Sequence, residues 1–170
     1  MKAGDIMIAA DKAKKLVRKY KTSDPFDLCA KTGIEIIYTD KGTLKGMYTT
    51  IKRNRFIVIN QKLDVYMQRM VCAHELAHDQ LHRGISSSAW IKDYDLYENN
   101  SKQEYEANIF SSELLVDESL LIDLIKQKKT IEEIAKILFL DQTLVSLKVR
   151  LLIEKGYNLI PQDFNSKFLK

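Results

Sequence analysis

All three histidines of the chain fall within nine residues, HELAHDQLH, at positions 74–82, and this cluster constrains the fold more than any other feature. Apolar residues at Val65, Met67, Met70, Val71, Ala73, Leu76 and Ala77 recur around it at helical spacing, which stops near Gly84. On a helix, residues four apart stand nearly one above the other. His74 and His78 can therefore turn both imidazoles toward one point, as a zinc ion requires of two ligands. Glu75 sits about 100° further round, where its carboxylate lies beside such an ion as a general base. The third ligand has to come from elsewhere. On a continuous helix His82 lies about 12 Å along the axis from His74 and about 80° around it, too far for one tetrahedral ion to hold both. His82 is expected outside the ligand set, either behind a ligand or merely near the mouth of the site.

The better source of a third ligand is a second helical run, QEYEANIFSSELL, at residues 103–115. Glu104 and Asn108 are four apart and share a face, so a carboxylate here could complete a His, His, Glu set with one position open for water. Glu106 lies about 200° from Glu104, so only one of the two faces the metal. Asn108 could accept a hydrogen bond from a ligand histidine and fix its tautomer. Between the two runs, residues 85–101 have no clear period and read as a long loop, a candidate wall or lid.

Upstream, Ile6, Ala9, Ala10, Ala13, Leu16, Val17 and Tyr20 alternate with Lys12, Lys14, Lys15, Arg18 and Lys19 as in an amphipathic helix with a basic outer face. Asp24-Pro25 and Gly33 bracket a short helix over 25–32. Three strands follow at 34–39, 44–50 and 55–60, rich in Ile, Val, Tyr and Phe. They read as an antiparallel sheet of hairpins, and the third, if it lies at the edge, could pair with an extended substrate. Cys29 and Cys72 are too few for a disulfide scaffold and read as buried free thiols.

With 45% hydrophobic and 29% charged residues, the chain is excluded from the disordered and fibrous classes. No run approaches the roughly 18 apolar residues a membrane span needs. Asp5 and Asp11 stand where a secretory signal would be apolar, so a cytosolic setting is expected.

HELAHDQLH, preceded by FIVINQKL and followed from Glu104 by ExEANxFSSELL, resembles the ImmA/IrrE family of zinc metallo-endopeptidases over roughly residues 10–120. The resemblance implies that His74, His78 and Glu104 are Zn2+ ligands and that Glu75 is the general base of peptide hydrolysis. One departure is Asn108, where related peptidases with a glutamate third ligand commonly carry Asp. Tyr94, Tyr97 and Tyr105 are candidates for stabilising the oxyanion. The implied fold is α+β, a zincin-like minimal metalloprotease domain over 1–127 with a three-stranded sheet and an HExxH helix, followed by a helical C-terminal region over 128–170. The implied function is that of a cytosolic endopeptidase acting on a protein such as a helix-turn-helix repressor of a mobile element or stress response.

The C-terminal helices, over 130–138 and 142–154, themselves resemble a helix-turn-helix, with Thr130 and Glu133 forming a capping box. Gln142, Thr143, Ser146, Lys148 and Arg150 would have to reach bases. From Ser119 onward nine basic residues face six acidic ones, a weak electrostatic footprint, so docking onto the core or a protein partner is favoured over DNA binding. The alternative function is a DNA- or partner-binding regulator whose zinc site is structural or vestigial.

Overall fold

In the computed structural model, which describes residues 3–40, 42–83, 91–92 and 101–159, the first apolar stripe is helix α1 (Ala3–Tyr20). Ala9, Ala10, Ala13 and Leu16 are buried, while Lys12, Lys15, Arg18 and Lys19 are exposed. Helix α2 (Pro25–Thr32) has the expected bounds for local reasons. The Asp24 carboxylate accepts the Asp27 N–H, Pro25 opens the helix, and Gly33 closes it at φ 74°.

Strands β1 (Ile34–Thr39), β2 (Leu44–Ile51) and β3 (Asn54–Asn60) form where the sequence places them, and a two-residue β4 (Ile91–Lys92) joins them. Their connectivity is not a run of hairpins. The order is β1-β3-β2-β4, with β1 parallel to β3 and β2 antiparallel to both β3 and β4. Lys52 and Arg53 join β2 to β3 at φ 49° and 71°, the two-residue turn geometry whose twist suits adjacent antiparallel strands. That turn leaves β3 a second edge, which β1 takes. Strand β3 is therefore interior, and the expectation that it offers an edge to a substrate is corrected.

Ile57 and Ile59 of β3, opposite Tyr48 and Gly46 of β2, bury one face of the sheet against helix α3 (Val65–Leu81). A Cβ on Gly46 would run into Val71 Cγ1 and lie 3.3 Å from the Val58 carbonyl oxygen, so glycine is what lets α3 settle this close to β2. Helix α4 (Lys102–Leu115) packs against both α3 and α1.

The chain divides into two compact units, Met1–Leu115 and Val116–Lys170. Helix α5 (Glu118–Lys126), grouped by sequence with the first part, lies in the second unit. It is followed by α6 (Ile131–Leu138), which carries the full Thr130/Glu133 capping box, and α7 (Gln142–Glu154). Lys148 of α7 is buried with its amine 3.4 Å from Glu118, and the Arg150 guanidinium donates to Glu154 at 2.9 Å. Neither side chain projects freely, as a base-reading role would require. No helix among the described residues is long and apolar enough to cross a membrane. Apart from β4 and Ser101, the expected loop at 85–101, with Tyr94 and Tyr97, lies outside the described residues, as does the tail from 160 onward.

Candidate metal centre

Helix α3 starts at Asp64, whose carboxylate accepts the N–H groups of Tyr66 and Met67. Three turns in, the helix carries His74, Glu75 and His78 into the interior of the first unit, all of them buried. The two imidazoles converge as the helical pitch dictates, with their Nε2 atoms 3.1 Å apart. Helix α4 brings Glu104 to the same point. Its Oε2 lies 3.0 Å from His74 Nε2 and its Oε1 lies 3.5 Å from His78 Nε2. Two zinc ligands at tetrahedral angles with bonds of 2.0–2.1 Å stand about 3.3–3.4 Å apart. The three observed separations bracket that value, so the set fits a tetrahedral ion and leaves one corner for a fourth group. Burial alone would raise the Glu104 carboxyl, but hydrogen bonds from His74 and His78 outweigh it and hold the group well below the usual carboxylate range. It stays an anion, as a ligand must.

Glu75 has no such partner. Burial pushes its carboxyl up to about 7, and the nearby Glu104 charge adds to this against the opposing pull of His78 and of the Tyr48 N–H. The Tyr48 N–H of β2 donates to Oε2 at 2.8 Å, which fixes the carboxylate beside the three ligands. Oε1 is buried and, among the described residues, has no hydrogen-bond partner. An oxygen left in this state is costly unless something else occupies the space it faces.

An IrrE N-terminal-like domain model matches residues 29–147, a span that contains the sheet, α3 and α4. The chain belongs to the IrrE N-terminal-like peptidase family. It is similar to the uncharacterized immunity region protein 2 of Bacillus phage phi105, at 35% identity over 122 residues covering 71% of this chain and 76% of the relative. It is also similar to the metallopeptidase ImmA of Bacillus subtilis (strain 168), at 24% identity over 110 residues covering 65% of this chain and 64% of the relative.

Two sets of contacts around the centre of this family member become specific only in the structure. The helix ends at Leu81, so His82 is not one more turn along α3 but a capping residue at φ −120° whose ring turns back. Its Nδ1 lies 3.1 Å from His78 Nδ1, and its Nε2 lies 2.9 Å from Glu106 Oε2. Burial holds the His82 ring below the usual histidine range, only partly offset by Glu106, so the neutral ring carries one proton. With that proton on Nε2 facing Glu106, Nδ1 can accept from His78 Nδ1–H, and a metal would take the place of the His78 Nε2 proton that faces Glu104. Glu106 is therefore not turned away but braces the third histidine. Asn108 is fully buried on α4.

The second set is that of Asp79, fully buried, which accepts hydrogen bonds from Tyr48 Oη, Gln80, Arg83 and Arg55 at 2.6–3.1 Å. The sequence offers a signal for each only in hindsight, a carboxylate two positions after Glu104 and another directly after His78. Cys29 and Cys72 are free and buried, with sulfurs 3.7 Å apart. This mutual contact, with burial, drives the Cys72 thiol pKa up and keeps it unreactive.

Proposed function

We propose that this protein is a cytosolic zinc-dependent endopeptidase, with His74, His78 and Glu104 as the metal ligands and Glu75 as the general base. The observation that carries the reading is the meeting of those three ligand atoms within 4.8 Å of one another beside a buried, half-partnered Glu75 carboxylate. When bound, zinc supplies Lewis acidity to a carbonyl oxygen and acidifies coordinated water toward neutrality. Glu75, anchored through Oε2 by the Tyr48 amide, keeps Oε1 for proton work: it takes a proton from water and returns it to the leaving amine. Glu106 and His82 hold the His78 tautomer.

The relatives named as an immunity region protein and as metallopeptidase ImmA support a regulatory protein as substrate, and the reading taken is a helix-turn-helix repressor of a mobile element or stress response. This would make the chain an antirepressor. The test is metal analysis of the purified chain followed by incubation with repressors encoded beside its own gene. We expect about one zinc per chain and cleavage at a single site. Glu75→Gln should keep the zinc and lower the cleavage rate by about 10²–10⁴-fold. Undiminished cleavage by that variant, or a chain that takes up no zinc, would sink the proposal.

A further inference from the structure

The first unit holds a second concave site, built from residues other than the three ligands and Glu75. A cavity of about 400 Å³ lies between α1, the end of α2, the start of β3 and the end of α3. Five cationic side chains line it, Lys12, Lys15 and Lys19 from α1, Arg55 from β3 and Arg83 from just past α3, and among the described residues no acidic one does. The volume is within the range of small-molecule sites.

The three lysines stand on one face of α1 at spacings of three and four, where like charges repel. The carboxylate hydrogen-bonded to this wall is Asp79, and it is already saturated. Both guanidiniums, Gln80 and Tyr48 Oη donate to it, and Arg55 also donates to the Thr32 carbonyl. Asp79 thus compensates the arginines and not the lysines. Among the described residues Lys12 and Lys15 make no ion pair, and Lys19 lies over the Tyr20 ring, 4.9 Å from its centre.

We propose that this cavity binds a phosphorylated small molecule of nucleotide size, and that its occupancy is read at the metal centre. Forked guanidiniums and point-charge ammonium groups together suit phosphate oxygens carrying several charges, whereas a lone carboxylate would leave most of the positive field standing. A half-enclosed pocket suits a compact anion better than a polymer that tracks along a surface. The link to the centre runs through hydrogen bonds. Arg55 and Arg83 hold Asp79, Asp79 holds the Tyr48 hydroxyl at 2.9 Å, and the Tyr48 N–H holds Glu75 at 2.8 Å. A phosphate that draws either guanidinium toward itself loosens Asp79 and with it the strand that positions Glu75. This second half rests on the peptidase reading, whereas the binding itself does not.

The probe is ATP, titrated by calorimetry into the zinc-loaded full chain, with zinc content checked afterward. One site per chain is expected. Lys12→Gln combined with Lys15→Gln, both at exposed positions whose fold is checked by thermal melting, should weaken binding by about tenfold or more. Sulfate at matched ionic strength should not displace ATP. Equal displacement by sulfate, unchanged affinity in the double variant, or tighter binding of a single-stranded oligonucleotide than of ATP each overturns the site. The coupling is read from the Tyr48 amide resonance, which should move on saturation in the wild type and stay in place in the lysine variant at the same ATP concentration. A Tyr48 amide that does not move while ATP binds overturns the coupling alone, whereas failure of the peptidase reading appears separately, in the metal analysis and the Glu75→Gln cleavage assay.

Discussion

Helices α3 and α7 each run through the interior of their own unit, yet they bury different chemistry. Helix α7 buries Leu144, Val145, Leu147, Val149, Leu151 and Leu152 with a single charged residue, Lys148, which reaches a partly exposed Glu118. Helix α3 buries His74, Glu75, His78 and Asp79 within six consecutive positions. Taking charged groups from water is unfavourable unless partners replace the solvent, and removing such groups in favour of apolar ones is often neutral or stabilising. Packing alone explains α7. It does not explain α3, whose polar residues need hydrogen bonds from β2, β3 and α4 and still leave Glu75 Oε1 without a partner among the described residues. The difference marks where the chain sacrifices stability for chemistry.

The comparison breaks first at Glu104. Glu104→Ala should lower metal affinity by more than about 100-fold, because losing even an outer partner of a ligand costs about 10–100-fold. Competition with a chromophoric chelator measures this, and wild-type affinity in the variant would show that α4 contributes no ligand. Next comes the seat of α3 on the sheet. Gly46→Ala forces a methyl group against Val71 and should cost about 1–3 kcal/mol in calorimetric unfolding, with Glu75 displaced as well.

The second unit should respond more mildly. Asp117→Ala removes the α5 cap and should cost about 1 kcal/mol. The Leu120 N–H and then the Ser119 hydroxyl hold the Asp117 carboxyl below its ordinary value of 3.8. An acid lowered in the folded state stabilises above its unfolded pKa and loses that contribution as the pH falls, so melts of wild type and variant should converge below about pH 4. The smallest effect is expected from Lys148→Met, which should unfold within about 1 kcal/mol of wild type, since an apolar chain of similar length replaces the buried ammonium while Glu118 is partly exposed and keeps the Tyr157 hydroxyl as a donor. A loss as large as that of Gly46→Ala would erase the distinction between the two helices.

Short-range features were legible in the residues. Asp24-Pro25 and Gly33 bound α2, and Thr130 with Glu133 opens α6, because capping is settled within one turn of chain. His74 and His78 converge because their spacing and the helical pitch lie within one element. The resemblance of the second motif makes Glu104 the expected third ligand, and the chain folds so that its carboxylate meets both rings. What was misread crossed between elements. Strand β1 pairs parallel with β3 because strands compete for edges, and the tight Lys52-Arg53 turn decides which edge remains. His82 stays outside the ligand set, as expected, and the end of α3 at Leu81 sets which way its ring turns.

Sequence alone determined which residues could serve a metal and on which helical faces they stand, because periodicity and pitch are properties of a single element. Only the tertiary structure decided that Glu106 braces His82, that the Tyr48 amide holds Glu75, and that Arg55 of β3 reaches Asp79. Each of these depends on a distance of a few ångströms between elements far apart in the chain. Such distances are set by how close the elements can pack, down to the missing side chain of Gly46.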